Sequence, residues 1–192
     1  MSGTYPTTPG ATSIKITGIS PTLVSVTHSL KRQARRRGGQ RWAIEANYPP
    51  MTRAIFAPLW AFVNSQQGQY GTFTYQPPIY SDSSGTATGT LLVNNVSGYA
   101  AGSTSIASDG LTGTLKAGDF IKFSGHDKVY MLTADGSTTL TIEPPLVSAL
   151  VNDETVTYQD VPFTMAFTAD NQVMSMGTEQ FVGFAIKLVE IV

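Results

Sequence analysis

The sequence predicts a mainly β protein with one helix, and three observations carry that prediction. Only 13% of the 192 residues are charged, about half the usual share, and Ser, Thr, Gly and Asn fill the gap. Short runs of alternating apolar and polar residues, broken by Gly and Asp turns, occupy most of the chain, which is the period-2 signature of strands. A convincing apolar stripe at helical spacing occurs in one place. At 41% hydrophobic the chain can build a core, and its length allows one large domain or two small ones.

The opening "MSGTYPTTPGATS" reads as a flexible arm or a loosely attached strand. It has no basic start and no apolar run, so it is not a signal peptide. After Pro21, "TLVSVTHSLKRQARRR" reads as a strand. "GG" at 38–39 is a hairpin turn signal, and "QRWAIEANY" is the return strand. In it Trp42, Ile44, Ala46 and Tyr48 share one face, and Arg41, Ala43, Glu45 and Asn47 share the other. "YPP" at 48–50 ends this strand.

In "MTRAIFAPLWAFVNSQQG", Ile55, Phe56, Leu59, Trp60, Phe62 and Val63 form the helical stripe. Thr52 is the expected N-cap and Gly68 the expected stop. Pro58 deletes a helix hydrogen bond, so the spacing predicts a loose first turn and a main helix from about 57 to 66. The stripe should pack on the sheet that carries Trp42, Ile44 and the C-terminal strand.

"QYGTFTYQPPIY" is a strand ending in a double Pro, and "SDSSGTATG" at 81–89 is a linker by composition. From 90 to 158 come six short strands: "GTLLVNNV", "STSIAS", "DFIKFSG", "KVYMLT", "TLTIEPPL" and "ETVTYQ". Their number and length predict a small closed or nearly closed barrel. Longer strands return in "VPFTMAFT", "NQVMSMG" and "FVGFAIKLVEIV". The economical organisation is a discontinuous domain, 1–80 plus 161–192, with a small β-barrel inserted at 81–160.

No catalytic, cofactor-binding or metal-ligating residue is assigned. The chain has no Cys, which removes disulfides and thiolate metal sites. "SGHDK" places Ser124, His126 and Asp127 together, but triad residues converge from separate segments, and here they crowd one turn. The acids sit mostly in turns beside Gly, Ser or Asn, which is turn chemistry. There is no phosphate loop and no dinucleotide fingerprint. No apolar run is long enough to span a membrane. The expectation is a soluble protein of the cytosol, or one assembled into something from there.

One cluster stands out. Six of the 12 Lys and Arg residues, Lys31, Arg32, Arg35, Arg36, Arg37 and Arg41, lie within 11 residues. Strand alternation puts Arg35 and Arg37 on one face and Arg36 on the other. Three readings are open. Nucleic-acid binding is favoured by Arg density and opposed by a net charge of −1 and by the lack of aromatics within the run. A solvated hairpin is the plain alternative. The third is a subunit interface in which Arg forks meet carboxylates of a neighbouring copy.

The run "RRRGGQRWAIEANYPPMTRAIFAPLWAFVNSQQGQYGTFTYQPP" resembles the distal tail proteins of long-tailed bacteriophages. "LKAGDFIKFSGHDKVYMLT" followed by "LTIEPPL" looks like the barrel inserted in tail-tip proteins of that kind, and "VPFTMAFTADNQ" is similar to their final strands. The likeness covers roughly residues 22–192 and rests on pattern and order, with no catalytic motif.

The resemblance implies a β-sandwich or split-barrel belt domain with one flanking helix and an inserted barrel. It implies a non-enzymatic virion protein assembled in the host cytoplasm: a ring, hexameric in the family, at the tail tip. Such a ring joins the tail tube protein to the hub and leaves a channel through which DNA passes without specific binding. The basic cluster would then meet acids such as Glu45, Glu179 or Glu190 of a neighbour. The alternatives are a tail tube subunit, which would stack into filaments, and a carbohydrate- or receptor-binding module carried by the barrel. The latter needs exposed aromatics, for which Tyr99, Phe120, Phe123, Tyr130 and Tyr158 are available, with Phe120 and Tyr130 expected in the core.

Overall fold

The computed structural model describes residues 3–176 and 181–192. In chain order its elements are β1 (Ser13–Ile19), β2 (Thr22–Val26), β3 (Arg32–Arg36), β4 (Arg41–Met51), α1 (Arg53–Ser65), β5 (Phe73–Tyr75), β6 (Thr88–Val93), β7 (Ser105–Thr112), β8 (Phe120–Phe123), β9 (Val129–Leu132), β10 (Thr139–Glu143), β11 (Thr155–Thr157), β12 (Phe163–Phe167), β13 (Ser175–Met176) and β14 (Val182–Glu190). The chain is mainly β with one helix among the described residues, as its composition and periodicity predict. It forms two compact units, one of Met1–Gly10, Thr72–Met165 and Ile191–Val192, the other of Ala11–Gly71 and Ala166–Glu190.

In the second unit β4 lies between β1 and β14, antiparallel to both. The alternation read from its sequence holds: Trp42, Ile44, Ala46 and Tyr48 are buried, and Phe184, Ile186 and Leu188 of β14 join them. The opposite face carries Lys15 and Lys187 across from Glu45, with Lys187 Nζ 3.7 Å from Glu45. The strand does not end at "YPP" but runs through both prolines to Met51. The register shifts opposite them, between Val182 and Phe184. Prolines have no N–H to give to a ladder, so an irregularity at this point removes the demand.

Strand β1 lies in a stretch from which no strand is expected. Ile14 and Ile16 alternate with polar residues, and the strand pairs along its whole length with β4. The N-terminal arm is also held more firmly than its composition predicts. Tyr5 is buried, its N–H donates to Thr74 O at 2.8 Å, and its ring meets Phe73 and Tyr75.

Helix α1 begins at Arg53, one turn earlier than expected, and Pro58 lies inside it. Thr52 is the N-cap, with its carbonyl accepting from Ile55 and Phe56, but its side chain makes no capping bond. Pro58 is exposed, so its ring sits in solvent and its cost is one missing bond. The helix ends at Ser65, and the chain turns through Gln67 and Gly68, both in the left-handed region. A side chain at Gly68 would also meet the Asp170 backbone at 2.9 Å. Phe56, Leu59 and Val63 are buried, whereas Ile55 is exposed and Trp60 half-buried. The stripe docks through Phe184, against which Phe56 and Trp60 lie at centroid distances of 5.4 and 6.0 Å.

In the first unit six strands close a barrel in the order β10-β7-β6-β11-β8-β9. Leu91, Ile106, Phe123, Tyr130, Leu140 and Val156 are among the residues filling it. Apart from the barrel, β5 pairs with the start of β12. The linker expected at 81–89 is a tied segment. Ser81 O accepts from Val161, Asp82 accepts from the Asp160 N–H, and β6 already begins at Thr88.

Asp119 holds the same segment. Its carboxylate accepts from Ser83 Oγ at 2.6 Å, Ser84 Oγ at 2.7 Å, and the N–H groups of Ser84 and Lys116 at 2.9 Å each. Burial alone would push its pKa up, but these bonds outweigh it and hold the carboxyl below the ordinary carboxylate value. Asp119→Ala should therefore cost about 2–3 kcal/mol, the scale of hydrogen bonds to a charged group. A folded-state pKa below the unfolded one means the unfolded chain binds the proton more readily. The contribution is thus present above the unfolded carboxylate range and lost as the pH falls through the lowered value. Urea unfolding at pH 7 and at pH 3 should show a smaller gap between wild type and variant at pH 3. An equal gap at both would detach the effect from the charge.

Candidate assembly interface

The basic run lies on the β2–β3 hairpin, a two-stranded sheet separate from the others. The expected hairpin between this run and the Trp42 strand does not form. The turn comes earlier, in "THSL": the Thr27 N–H and Oγ1 both reach Lys31 O, the Leu30 N–H donates to Thr27 O, and Leu30 takes a φ of 60°. Gly38 and Gly39 instead link the hairpin to β4, which pairs with β1 and β14. A turn side chain that replaces backbone partners can outcompete a glycine pair.

The register is Thr22 with Arg36, Leu23 with Arg35, Val24 with Ala34, Ser25 with Gln33 and Val26 with Arg32. Directly paired residues share a face. One face therefore carries Arg32 and Arg36 beside Val24 and Val26, and the other carries Arg35 beside Leu23. Arg35 and Arg36 are on opposite faces as expected, while Arg37 lies just past β3, its N–H on Pro21 O at 3.1 Å. Lys31 closes the turn. Arg41 is set apart, opening β4 opposite Ile19.

Every residue from 22 to 39 is exposed or half-exposed, including Leu23, Val24, Val26 and Leu30. Residues 22–41 contain six cations and no acid. A two-stranded hairpin on its own is marginal in water, and this one has no core beneath it. It presents apolar side chains and a dense positive charge together.

Of the acids expected opposite this cluster in a neighbour, Glu190 is excluded. It is fully buried and accepts the Trp42 N–H at 3.1 Å. Glu45 is part-exposed and beside Lys187. Glu179 lies outside the described residues.

The "SGHDK" turn does not converge. His126 is buried, with Nδ1 2.8 Å from Tyr130 Oη and Nε2 3.4 Å from Ala149 O. Tyr130 Oη also accepts the Val147 N–H. Asp127 instead accepts from Thr164 Oγ1 and faces Lys122. Among the described residues no group of three or more His, Asp or Glu is placed to hold a metal ion, and no helix is long and apolar enough to cross a membrane.

The barrel aromatics are covered, four in or against the barrel core and Phe120 on the other face of β8 against Phe163. Phe120, Phe123, Tyr130 and Tyr158 are buried, and Tyr99 packs against the core with its hydroxyl accepting from Ala107. None of the five offers the open ring face a sugar needs. No protein-family model matches the chain, and no curated protein matches it.

Proposed function

We propose that the protein is a non-enzymatic structural subunit that joins copies of itself into a ring through the β2–β3 hairpin. In this reading it is a distal tail protein of a long-tailed bacteriophage, placed in the virion at the tail tip. Residues 1–80 and 161–192 supply the ring-forming belt, and 81–160 the inserted barrel. The ring, hexameric by the family resemblance, joins the tail tube protein to the hub, carries receptor-binding proteins, and leaves a channel for DNA.

The observation that carries the reading is the hairpin. A segment that is exposed or half-exposed from residue 22 to residue 39 and combines aliphatic side chains with five cations is shaped for a protein surface outside its own fold. The order of motifs from Arg35 to Pro78 supports the tail assignment. The buried barrel aromatics give no support to a carbohydrate-binding module.

The test is the mass of purified protein in solution, with negative-stain images of the same sample. A closed ring of fixed order, or a pair of rings, is the expected result. Filaments of unlimited length would make it a tail tube subunit. A monomer at every concentration would remove the ring reading.

A further inference from the structure

The formal charge of −1 conceals a strong segregation. Residues 31–41 hold six cations and no acid, while residues 81–160 hold nine acids and three lysines. Those lysines are already engaged or buried. Lys116 pairs with Asp135 at 2.7 Å, Lys122 reaches Thr164 and Pro162 O at 3.2 Å, and Lys128 is buried. The barrel therefore presents a net negative exterior.

One end of the barrel adds apolar surface to that charge. Loop 94–98 and loop 147–153 are bound together there. The Asn95 N–H donates to Asn152 Oδ1 at 2.8 Å, and Tyr99 and Leu150 exchange two backbone bonds. These loops carry Val96, 92% exposed, Val151, 65% exposed, and Val147, 50% exposed. Single exposed aliphatics are ordinary, but three in two joined loops form a patch.

The patch has an acidic rim. Asp109 pairs with Leu92 in the ladder, and the Asp153 N–H donates to Val93 O at 2.9 Å. Leu91 and Val93 point into the barrel, so Leu92 and Asp109 point out. The two exposed carboxylate residues thus flank the end of β6 from opposite sides, beside the loop that carries Val96.

We propose that this end of the barrel, with its valines and its Asp109 and Asp153 rim, is the acceptor for the β2–β3 hairpin of a second copy of the chain. The inference rests on the ring reading and gives it an interface. The hairpin offers aliphatic side chains interleaved with Arg, and the barrel end offers aliphatic side chains bordered by acids. Each surface has what the other needs covered, and Arg binds carboxylates in forked, directional pairs. Because donor and acceptor are different patches, the contact is head-to-tail, the type that closes into a ring when the rotation from copy to copy divides a full turn. Nucleic acid fits the hairpin less well. Phosphates would neutralise the arginines but leave Leu23, Val24 and Val26 uncovered, and the hairpin has no aromatic ring for a base.

Two variants and their mixture test this. One reverses the hairpin (Arg35→Glu, Arg36→Glu, Arg37→Glu). The other reverses the barrel end (Val96→Lys, Asp109→Lys, Val151→Lys). Asp153 is kept, because its φ of 61° disfavours a lysine there. No residue changed is buried, so both variants should unfold thermally as the wild type does. Each alone should need a concentration at least about tenfold higher to assemble, through like-charge contact. Mixed one to one they should assemble at the wild-type concentration into particles holding equal amounts of both chains, since reversed hairpin then meets reversed barrel.

Wild-type rings with an unchanged mass for the barrel variant would overturn the acceptor and leave the ring reading standing. Failure of the mixture to assemble would also overturn it, placing the complementarity within one chain. A wild type that stays monomeric would overturn both. Loss of salt-sensitive affinity for duplex DNA in the hairpin variant, with both variants of wild-type mass, would assign the cluster to nucleic acid.

Discussion

Phe184→Ala should lower the unfolding free energy by about 3–5 kcal/mol, the range for truncating a buried aromatic. Phe184 is 5% exposed. Helix and sheet meet at it, with Phe56 at 5.4 Å, Trp60 at 6.0 Å and Tyr48 at 6.1 Å between ring centroids. Removing it leaves a void that three rings border, and rings on a helix and a strand cannot all move in to fill it. A loss of this size is a third or more of the roughly 5–15 kcal/mol that holds a typical domain together. Trp60→Ala should cost less, about 1–3 kcal/mol, because its side chain is only partly buried. Both tryptophans of the chain, Trp42 and Trp60, lie in this unit, so the fluorescence of Trp42 follows its unfolding in either variant. A loss below about 1 kcal/mol for Phe184→Ala would mean that α1 is not held by this cluster.

What the sequence made legible was the local periodicity. Trp42 to Tyr48 alternate so regularly that both faces of β4 can be assigned unaided, and the six short runs from 90 to 158 give the barrel its strand count. Where two local signals compete, tertiary partners decide which prevails. The glycine pair at 38–39 looked like the hairpin turn, yet Thr27 and Lys31 close the hairpin through bonds that a dipeptide scan does not weigh. The half-buried state of Trp60 and the burial of Glu190 depend on partners far along the chain, as does the tie between Ser83, Ser84 and Asp119, 35 and 36 residues apart. Composition sees Ser-Asp-Ser-Ser-Gly and reports slack. The basic cluster announced itself by density. The apolar barrel end did not, because Val96, Val147 and Val151 look like strand residues until the ladder leaves them in loops.

Replacing residues 22–36 by two glycines should abolish assembly and leave a folded monomer. The Arg37 N–H already bonds to Pro21 O at 3.1 Å, so the ends of the excised segment are adjacent and a short bridge closes them without pulling on β1 or β4. No residue removed is buried, and the hairpin pairs with no strand of the main sheet. The loss to the fold should therefore stay within about 1 kcal/mol. The loss to assembly should be far larger, since the deletion takes away four of the six clustered cations, all but Arg37 and Arg41, together with Leu23, Val24 and Val26. Individual surface ion pairs contribute about 0–1 kcal/mol, which is why a single Arg substitution can be silent. Deleting the whole hairpin removes the apolar area and the charge at once, and does so at every contact around a ring. Mass in solution and thermal unfolding, measured on the same preparation, separate the two effects. A folded deletion product that still forms rings would move the interface to another face of the protein. An unfolded one would show that the hairpin is an integral part of the fold.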